Sequence, residues 1–186
     1  NLEYLMSSLP HLSFEDSEEA RNRVFGLLGK YAGPQNADQN PAAILEDESG
    51  KYLGSEKSEI LRNIRLENIH EPGFRKQGNK VLTAFSDYMY RLKNDIRQLR
   101  LARRNASEGA AVGIPSLPLV PGTPLEEEIQ LMQWQWTALE ELSAGHYADF
   151  GALCVYKLKL LLLLRWWGFD TQKGFENFLN STETTG

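Results

Sequence analysis

The chain has 186 residues, of which 41% are hydrophobic and 24% are charged, which indicates a globular protein with enough apolar surface for one core. Its single cysteine, Cys154, excludes a disulfide framework and a cysteine-based zinc site within the chain. Because no basic and then apolar leader opens the sequence, we expect a cytoplasmic protein. Any contact with a membrane is expected to be peripheral, through a complex.

The net charge of −5 is unevenly distributed along the chain. Residues 1–60 carry 11 acidic and 5 basic side chains, residues 61–105 carry 4 acidic and 11 basic, and residues 106–186 carry 10 acidic and 4 basic. A basic middle is therefore flanked by acidic ends. Either these parts pair with each other on folding, or the basic middle faces an acidic partner.

The N-terminal third predicts helices separated by loops. Ser13 is placed to cap a helix whose apolar residues recur at helical spacing as far as Tyr31. Residues 32–55 are expected to be mostly loop, with one minor β-hairpin that turns at Ser49–Gly50. A short helix is predicted near 56–69.

The clearest predicted element is a helix from about Gly78 to Asn105. Its apolar side chains fall within a face about 120° wide, as in an amphipathic helix. They are Val81, Leu82, Phe85, Tyr88, Met89, Leu92, Ile96 and Leu99.

A second helix is predicted after a stretch at 105–124 that is rich in Gly, Pro, Ala and Ser, which we interpret as a linker or crossover. Thr123 is placed to cap this helix, with Pro124 at its first position and Glu126 completing a capping box. Gly145 is expected to end it. The two helices, joined by the linker, predict a long antiparallel hairpin.

The most apolar stretch is YKLKLLLLLRWW, residues 156–167. A transmembrane helix needs ~20 predominantly apolar residues, so this run is too short to span a bilayer. Its five leucines cover every direction around a helix, which predicts a buried central helix from about 147 to 167. Gly168 is expected to end it, and Asp170 or Thr171 to start a last short helix. The flanking cations, Lys157 among them, then reach solvent or pair with the acidic ends.

These elements together predict an all-α fold. We expect an elongated helical bundle in a single domain, residues 1–186, with a long helix hairpin and one minor β-hairpin.

Motifs for phosphate, dinucleotide, zinc-protease and serine-hydrolase chemistry are all missing from the sequence. His11, His70 and His146 lie beside different predicted helix ends, so a capping or surface role is favoured over a metal site. Cys154 falls in an apolar helical pattern, which indicates a buried small side chain rather than a nucleophile. We expect no cofactor, no metal and no catalytic residue.

The most suggestive surface feature is a row of cations in RLKNDIRQLRLARR, residues 91–104. Lys93, Arg97, Arg100 and Arg104 recur at i, i+4, i+7 and i+11, so they form one stripe beside the apolar face. Three interpretations are open: a solvated face neutralised by acidic residues of the same chain, a docking stripe for an acidic protein partner, and, least favoured, a nucleic-acid surface.

The opening YLMSSLPHLSFED, residues 4–16, resembles the N-terminus of an uncharacterised bacterial family associated with V/A-type rotary ATPases. That family is similar to the central-stalk component that lies between the membrane-embedded proteolipid ring and the rotating shaft. RWWGFDTQKGFENF, residues 165–178, is more loosely similar to the rhythm that ends helical units in that stalk component. The resemblance implies a helical, non-catalytic coupling or adaptor protein. The chain departs from the family pattern in having about half the length of a full stalk component of this kind, and no functional residue is carried over.

Two functions remain open. The first is a non-catalytic subunit or adaptor of a larger assembly, with protein partners that include rotary ATPase subunits and with the basic stripe as the candidate interface. The alternative is a soluble enzyme or a small-ligand-binding helical protein, with a site around Trp134, Trp136, Trp166 and Trp167. The residues assign no particular small-molecule ligand.

Overall fold

A computed structural model describes residues 1–33, 39–109 and 117–183, without the side chains of residue 27 and residues 170–183. This part of the chain contains helices and no strand, which confirms the all-α fold class. The helices are α1 (Leu2–Ser8), α2 (Glu18–Gly29), α3 (Pro41–Gly50), α4 (Ser55–Asn63), α5 (Pro72–Arg75), α6 (Lys80–Ser107), α7 (Pro124–Leu142) and α8 (Phe150–Glu183).

The Cα positions group into two compact units. Unit 1 contains residues 1–64 and the C-terminal part from residue 146, and unit 2 contains residues 65–145. Helices α1 to α4 and α8 therefore belong to unit 1, and α5 to α7 belong to unit 2. The single domain and the elongated shape stay predictions.

The predicted β-hairpin at Ser49–Gly50 is wrong, because these residues end helix α3. Asn40 starts that helix: its side-chain oxygen accepts a hydrogen bond of 2.8 Å from the backbone N–H of Ala42. Pro41 takes the first helical position, where a missing N–H is harmless. The Asn-Pro pair is therefore a stronger local determinant than the turn-forming Ser-Gly pair.

The residue that caps helix α2 lies four residues later than predicted. The hydroxyl of Ser17, not that of Ser13, accepts a hydrogen bond of 3.1 Å from the N–H of Ala20. Ser13 instead donates to a carboxylate oxygen of Glu15 at 3.1 Å. Both serines have an acidic residue nearby, so the sequence pattern alone did not show which of them caps the helix.

The leucine run lies inside helix α8 and is buried as predicted. Leu160, Leu162 and Leu163 are at most 1% exposed, and the other two leucines of the run are half-buried. The prediction that Gly168 ends this helix is wrong, since α8 continues to Glu183. Glycine within a helix costs about 0.5–1 kcal/mol relative to alanine, which is too little to stop a well-packed helix by itself.

Aromatic side chains of α8 fix the loop between α1 and α2. The hydroxyl of Tyr156 donates to the carbonyl of Pro10 at 2.6 Å, and the indole N–H of Trp167 donates to the carbonyl of Glu15 at 3.1 Å. The rings of Phe14 and Trp166 stack with their centroids 4.5 Å apart. Helix α8 therefore holds the loop between α1 and α2 in place.

A buried cation joins three helices of unit 1. Lys157 on α8 is 1% exposed, and its Nζ lies 2.7 Å from a carboxylate oxygen of Glu46 on α3. The same nitrogen donates to the carbonyls of Leu61, at 2.5 Å, and Arg62, at 3.4 Å, on α4. The sequence predicted that Lys157 either reaches solvent or pairs with an acidic residue. The structure shows the second, because Lys157 pairs with Glu46.

In unit 2, α6 and α7 form the predicted antiparallel hairpin. Thr123 and Glu126 form the expected capping box, with hydrogen bonds of 3.2 and 2.8 Å. The guanidinium of Arg103, near the end of α6, contacts both carboxylate oxygens of Glu127, at the start of α7, at 2.8 and 2.9 Å. This hydrogen-bonded pair lowers the pKa of Glu127. Within the predicted linker, 105–107 belong to α6 and 110–116 lie outside the described residues.

Across the described residues, we found no helix with the length and apolar character required to cross a membrane.

We predict that Leu162→Ala lowers the free energy of unfolding by about 2–5 kcal/mol, because the truncation leaves a cavity beside a fully buried position. Urea unfolding followed by circular dichroism measures the change. Leu101→Ala is the matched control, since Leu101 is also helical but 42% exposed. Equal effects of the two substitutions would contradict the buried position of the leucine run.

We predict that Glu46→Gln lowers the free energy of unfolding by about 3–5 kcal/mol, because it removes the carboxylate that lies 2.7 Å from the buried ammonium of Lys157. Glu46→Gln/Lys157→Met should recover most of the loss, since the double variant buries no charge. Glu48→Gln is the control: it breaks a pair with Lys51, which is 63% exposed, and should have little effect. A double variant as unstable as Glu46→Gln would refute the pairing.

Candidate functional site

Helix α6 has one buried apolar side. The side-chain oxygen of Asn79 caps the helix by accepting hydrogen bonds of 3.1 Å from the N–H groups of Val81 and Leu82. The predicted apolar face is confirmed, except that Tyr88 and Ile96 are half-buried. Its buried apolar residues are Val81, Leu82, Phe85, Met89, Leu92 and Leu99.

The side of α6 next to this apolar face carries the four predicted cations, which we name the basic face: Lys93, Arg97, Arg100 and Arg104. All four side chains are exposed. Because a helix turns every 3.6 residues and rises 1.5 Å per residue, they lie on one side of α6 within about 16 Å along its axis. The helix thus forms the predicted stripe, and its use as an interface stays a prediction.

Contacts within the chain involve only the two ends of the basic face, and only Arg104 has an acidic partner among the described residues. The Nε of Arg104 lies 3.3 Å from a carboxylate oxygen of Glu108, and the Nζ of Lys93 lies 3.5 Å from the carbonyl oxygen of Glu67. Arg97 and Arg100 form no ion pair or hydrogen bond with any residue that the structure describes. Among the described residues, Arg104 is thus the only member of the basic face in an ion pair, and the three interpretations of the stripe stay predictions.

Two large apolar side chains border the basic face, and sequence analysis missed both. Tyr90 is 44% exposed and Leu101 is 42% exposed. On a helical wheel both lie next to Arg97, on the side away from Arg100. Both residues lie outside the 120° apolar face of the predicted helix, and this position could have indicated that they are exposed. The surface of α6 therefore combines positive charge with exposed apolar area.

The segment before α6 packs across the start of the basic face. The hydroxyl of Ser86 donates to the carbonyl of Glu71 at 3.4 Å, and the guanidinium carbon of Arg75 lies 4.4 Å from the centre of the Tyr90 ring. Together with the contact between Lys93 and Glu67, these contacts place residues 67–75 along α6 from Ser86 to Lys93.

His70 lies within this segment with its Nδ1 buried. That nitrogen has no hydrogen-bond partner among the described residues. Burial lowers the pKa of His70, and the charges of Lys93 and Arg75 lower the pKa further, while the carboxylate of Glu71 raises it. His70 is therefore neutral near pH 7, and two of the three charged groups that act on it are positive.

The four tryptophans are divided between the two units. Trp134 and Trp136 lie on α7, where the indole N–H of Trp136 donates to Glu140 at 3.1 Å. Trp166 and Trp167 lie on α8 of unit 1, where the N–H of Trp167 is hydrogen-bonded to the loop before α2. The residues of the predicted tryptophan site thus come from both units. In each unit the indole N–H of one tryptophan is hydrogen-bonded within that unit.

A polar cavity of about 200 Å³ lies elsewhere in unit 1, and none of the tryptophans lines it. Two of its wall residues have shifted pKa values. Hydrogen bonds from Gln39 and Arg62 lower the pKa of Asp47, and a hydrogen bond to Glu48 raises that of Lys51. Pairing within the chain explains both shifts, so they do not mark a catalytic group.

Cys154 and His146, two other residues that the sequence singled out, are in contact with the fold and not arranged around a ligand site. Cys154 is fully buried, and burial raises the pKa of its thiol to about 12, so the small buried side chain is confirmed. The Nδ1 of His146 lies 2.5 Å from Asp149, whose other oxygen accepts from the N–H of Ala152 in the first turn of α8. In the part of the chain with described side chains, no group of three histidine, cysteine or acidic residues is arranged to hold a metal ion.

Comparisons of the chain with protein-family models, with curated proteins and with solved structures found no match.

We predict that His70 titrates below pH 6.5, the ordinary value for a histidine. Lys93→Gln should raise this pKa, because it removes a nearby positive charge, and NMR titration of the imidazole protons measures both values. Since the folded pKa is the lower one, the contribution of His70 to stability is present above pH 6.5 and is lost as the pH falls through the folded pKa. Arg91→Gln, a charge removal elsewhere on α6, is the control. A midpoint at or above 6.5 would contradict the buried position.

Proposed function

We propose that this chain is a non-catalytic helical adaptor that binds an acidic protein partner on the basic face of α6. The main support for this proposal is the pair of exposed arginines, Arg97 and Arg100, which have no partner in the described part of the chain. Adjacent like charges repel, and carboxylates of a partner would remove that repulsion.

The exposed apolar residues beside the arginines support a protein partner. Protein interfaces combine aromatic residues and arginine at their centre. Tyr90 and Leu101 offer the apolar contact area, and Arg97 and Arg100 offer charge and geometric specificity. A nucleic-acid surface fits less well, because single-strand binding needs several stacking aromatics and duplex binding needs a broader basic surface.

An adaptor is favoured over an enzyme or small-ligand binder built around the tryptophans. Trp136 and Trp167 use their indole N–H groups in hydrogen bonds within their own units. A ligand site at this location would have to compete with those bonds.

We further propose that the assembly is a V/A-type rotary ATPase, in which the chain has a coupling role in the cytoplasm at the periphery of the membrane. The support is the resemblance of residues 4–16, and the looser one of residues 165–178, to the family associated with such ATPases. The two stretches contact each other in unit 1, where Phe14 stacks on Trp166 and Glu15 accepts from Trp167. The two stretches that carry the resemblance therefore belong to one packed region of unit 1.

We predict that Arg97→Glu/Arg100→Glu abolishes recovery of a protein partner that the unaltered chain retains. The substitution replaces attraction to carboxylates by repulsion, so binding should fall at least tenfold. The measurement is affinity purification from native membranes in mild detergent, followed by quantitative mass spectrometry at two salt concentrations.

Lys80→Glu/Arg91→Glu is the matched control. It changes the net charge by the same amount on the opposite side of α6, at two exposed positions, and should retain the partner. A partner lost equally in both variants would refute docking on the basic face. Recovery that depends on the arginines but contains no ATPase subunit would refute the rotary ATPase assignment alone, and nuclease-sensitive recovery would favour nucleic acid.

A further inference from the structure

Three nitrogen-bearing side chains belong to the region where residues 67–75 pack across the start of the basic face. We name His70, Arg75 and Lys93 the His70 cluster. Arg75 lies against the ring of Tyr90, and Lys93 lies one helical turn after Tyr90 on the same side of α6. Both positive charges are close enough to His70 to lower its pKa. The charged groups that act on His70 are thus Lys93, Arg75 and Glu71, two positive and one negative.

The cluster contains hydrogen-bonding atoms that the protein itself leaves unused. The Nδ1 of His70 and the Nε of Arg75 are both buried and have no partner among the described residues. Arg75 also forms no ion pair or hydrogen bond there. A buried polar atom without a partner costs free energy, so two of them in one short segment, on His70 and Arg75, need an explanation.

We propose that the His70 cluster is a binding site for a carboxylate, and that it holds an acidic side chain of the partner at the N-terminal end of the basic face. This site deepens the docking function proposed above and rests on it. A guanidinium fits a carboxylate because its planar N–H groups can donate two parallel hydrogen bonds. The contact of the Arg75 guanidinium with the Tyr90 ring, 4.4 Å from its centre, restricts the guanidinium before the ligand arrives, which reduces the entropy cost of binding.

The cluster also indicates the form of the partner. Lys93 belongs both to the cluster and to the basic face, so the site continues into Arg97, Arg100 and Arg104 without a gap. A partner helix packed along α6, with carboxylates at i, i+4, i+7 and i+11, would match this row over three turns. Apolar residues on the same helix would contact Tyr90 and Leu101. We therefore expect an acidic amphipathic helix.

The first experiment tests the site without any peptide. Sodium acetate is titrated into the intact protein, with sodium chloride at equal ionic strength as the reference, and the pKa of His70 is followed by NMR. Acetate should raise this pKa, because a bound negative charge favours the imidazolium form, and chloride should not. Arg75→Gln should abolish the acetate effect and Arg91→Gln should retain it. Equal responses to the two salts would overturn the carboxylate site.

The second experiment tests the connection to docking. A synthetic helical peptide carries glutamates at i, i+4, i+7 and i+11, and a second version adds one glutamate a turn beyond the residue that pairs with Lys93. The added glutamate should tighten binding about fivefold, the effect of one partly exposed charge pair. Arg75→Gln should remove this gain, and Arg75→Lys, which keeps the charge but not the planar donors, should retain only part of it.

The two proposals fail in different ways. Peptide binding that requires Arg97 and Arg100 but gains nothing from the added glutamate would overturn the carboxylate site and leave docking intact. An acetate effect that depends on Arg75, without any binding of either peptide, would support the site and count against docking of an acidic helix. Circular dichroism of each variant verifies that it is folded.

Discussion

The arrangement of unit 1 depends on one buried ammonium group. Helix α8 carries Lys157 into an apolar interior, where an unpaired charge costs several kcal/mol. Glu46 on α3 and the last carbonyls of α4 supply the counter-charge and the acceptors. The end of α4 is also the negative end of its dipole. Because all these groups must reach one nitrogen, α3, α4 and α8 have little freedom relative to each other, and the surrounding leucines pack on helices fixed in this way.

The basic face of α6 presents the opposite situation. Lys157 finds its partners inside the chain, whereas Arg97 and Arg100 have none in the described part of the chain, and Tyr90 is left partly exposed beside them. The apolar side of α6 is buried, whereas Arg97 and Arg100 add no ion pair or hydrogen bond to the described part of the fold. A binding function is best inferred from exposed residues that make no contacts within the fold. The adaptor proposal depends on this difference between Lys157 and the two arginines.

Predictions from the sequence succeeded where the determining interaction was local. The start of α7 was predictable because Thr123, Pro124 and Glu126 form a cap from neighbouring residues. The basic face was predictable as a row because spacing alone sets its direction on a helix. The β-hairpin at Ser49–Gly50 and the helix end at Gly168 were wrong, since both relied on weak turn or breaker preferences that packing of α3 and α8 overrides.

The sequence by itself determined the helical class, the apolar side of α6 and the burial of the leucine run, because periodicity and length act within one helix. Only the tertiary structure decided that Lys157 meets Glu46, and that His70, Arg75 and Lys93 lie together. Those contacts join residues far apart in the chain or in different elements. No local spacing encodes such contacts, since they depend on how whole helices pack and on which buried charges must be satisfied.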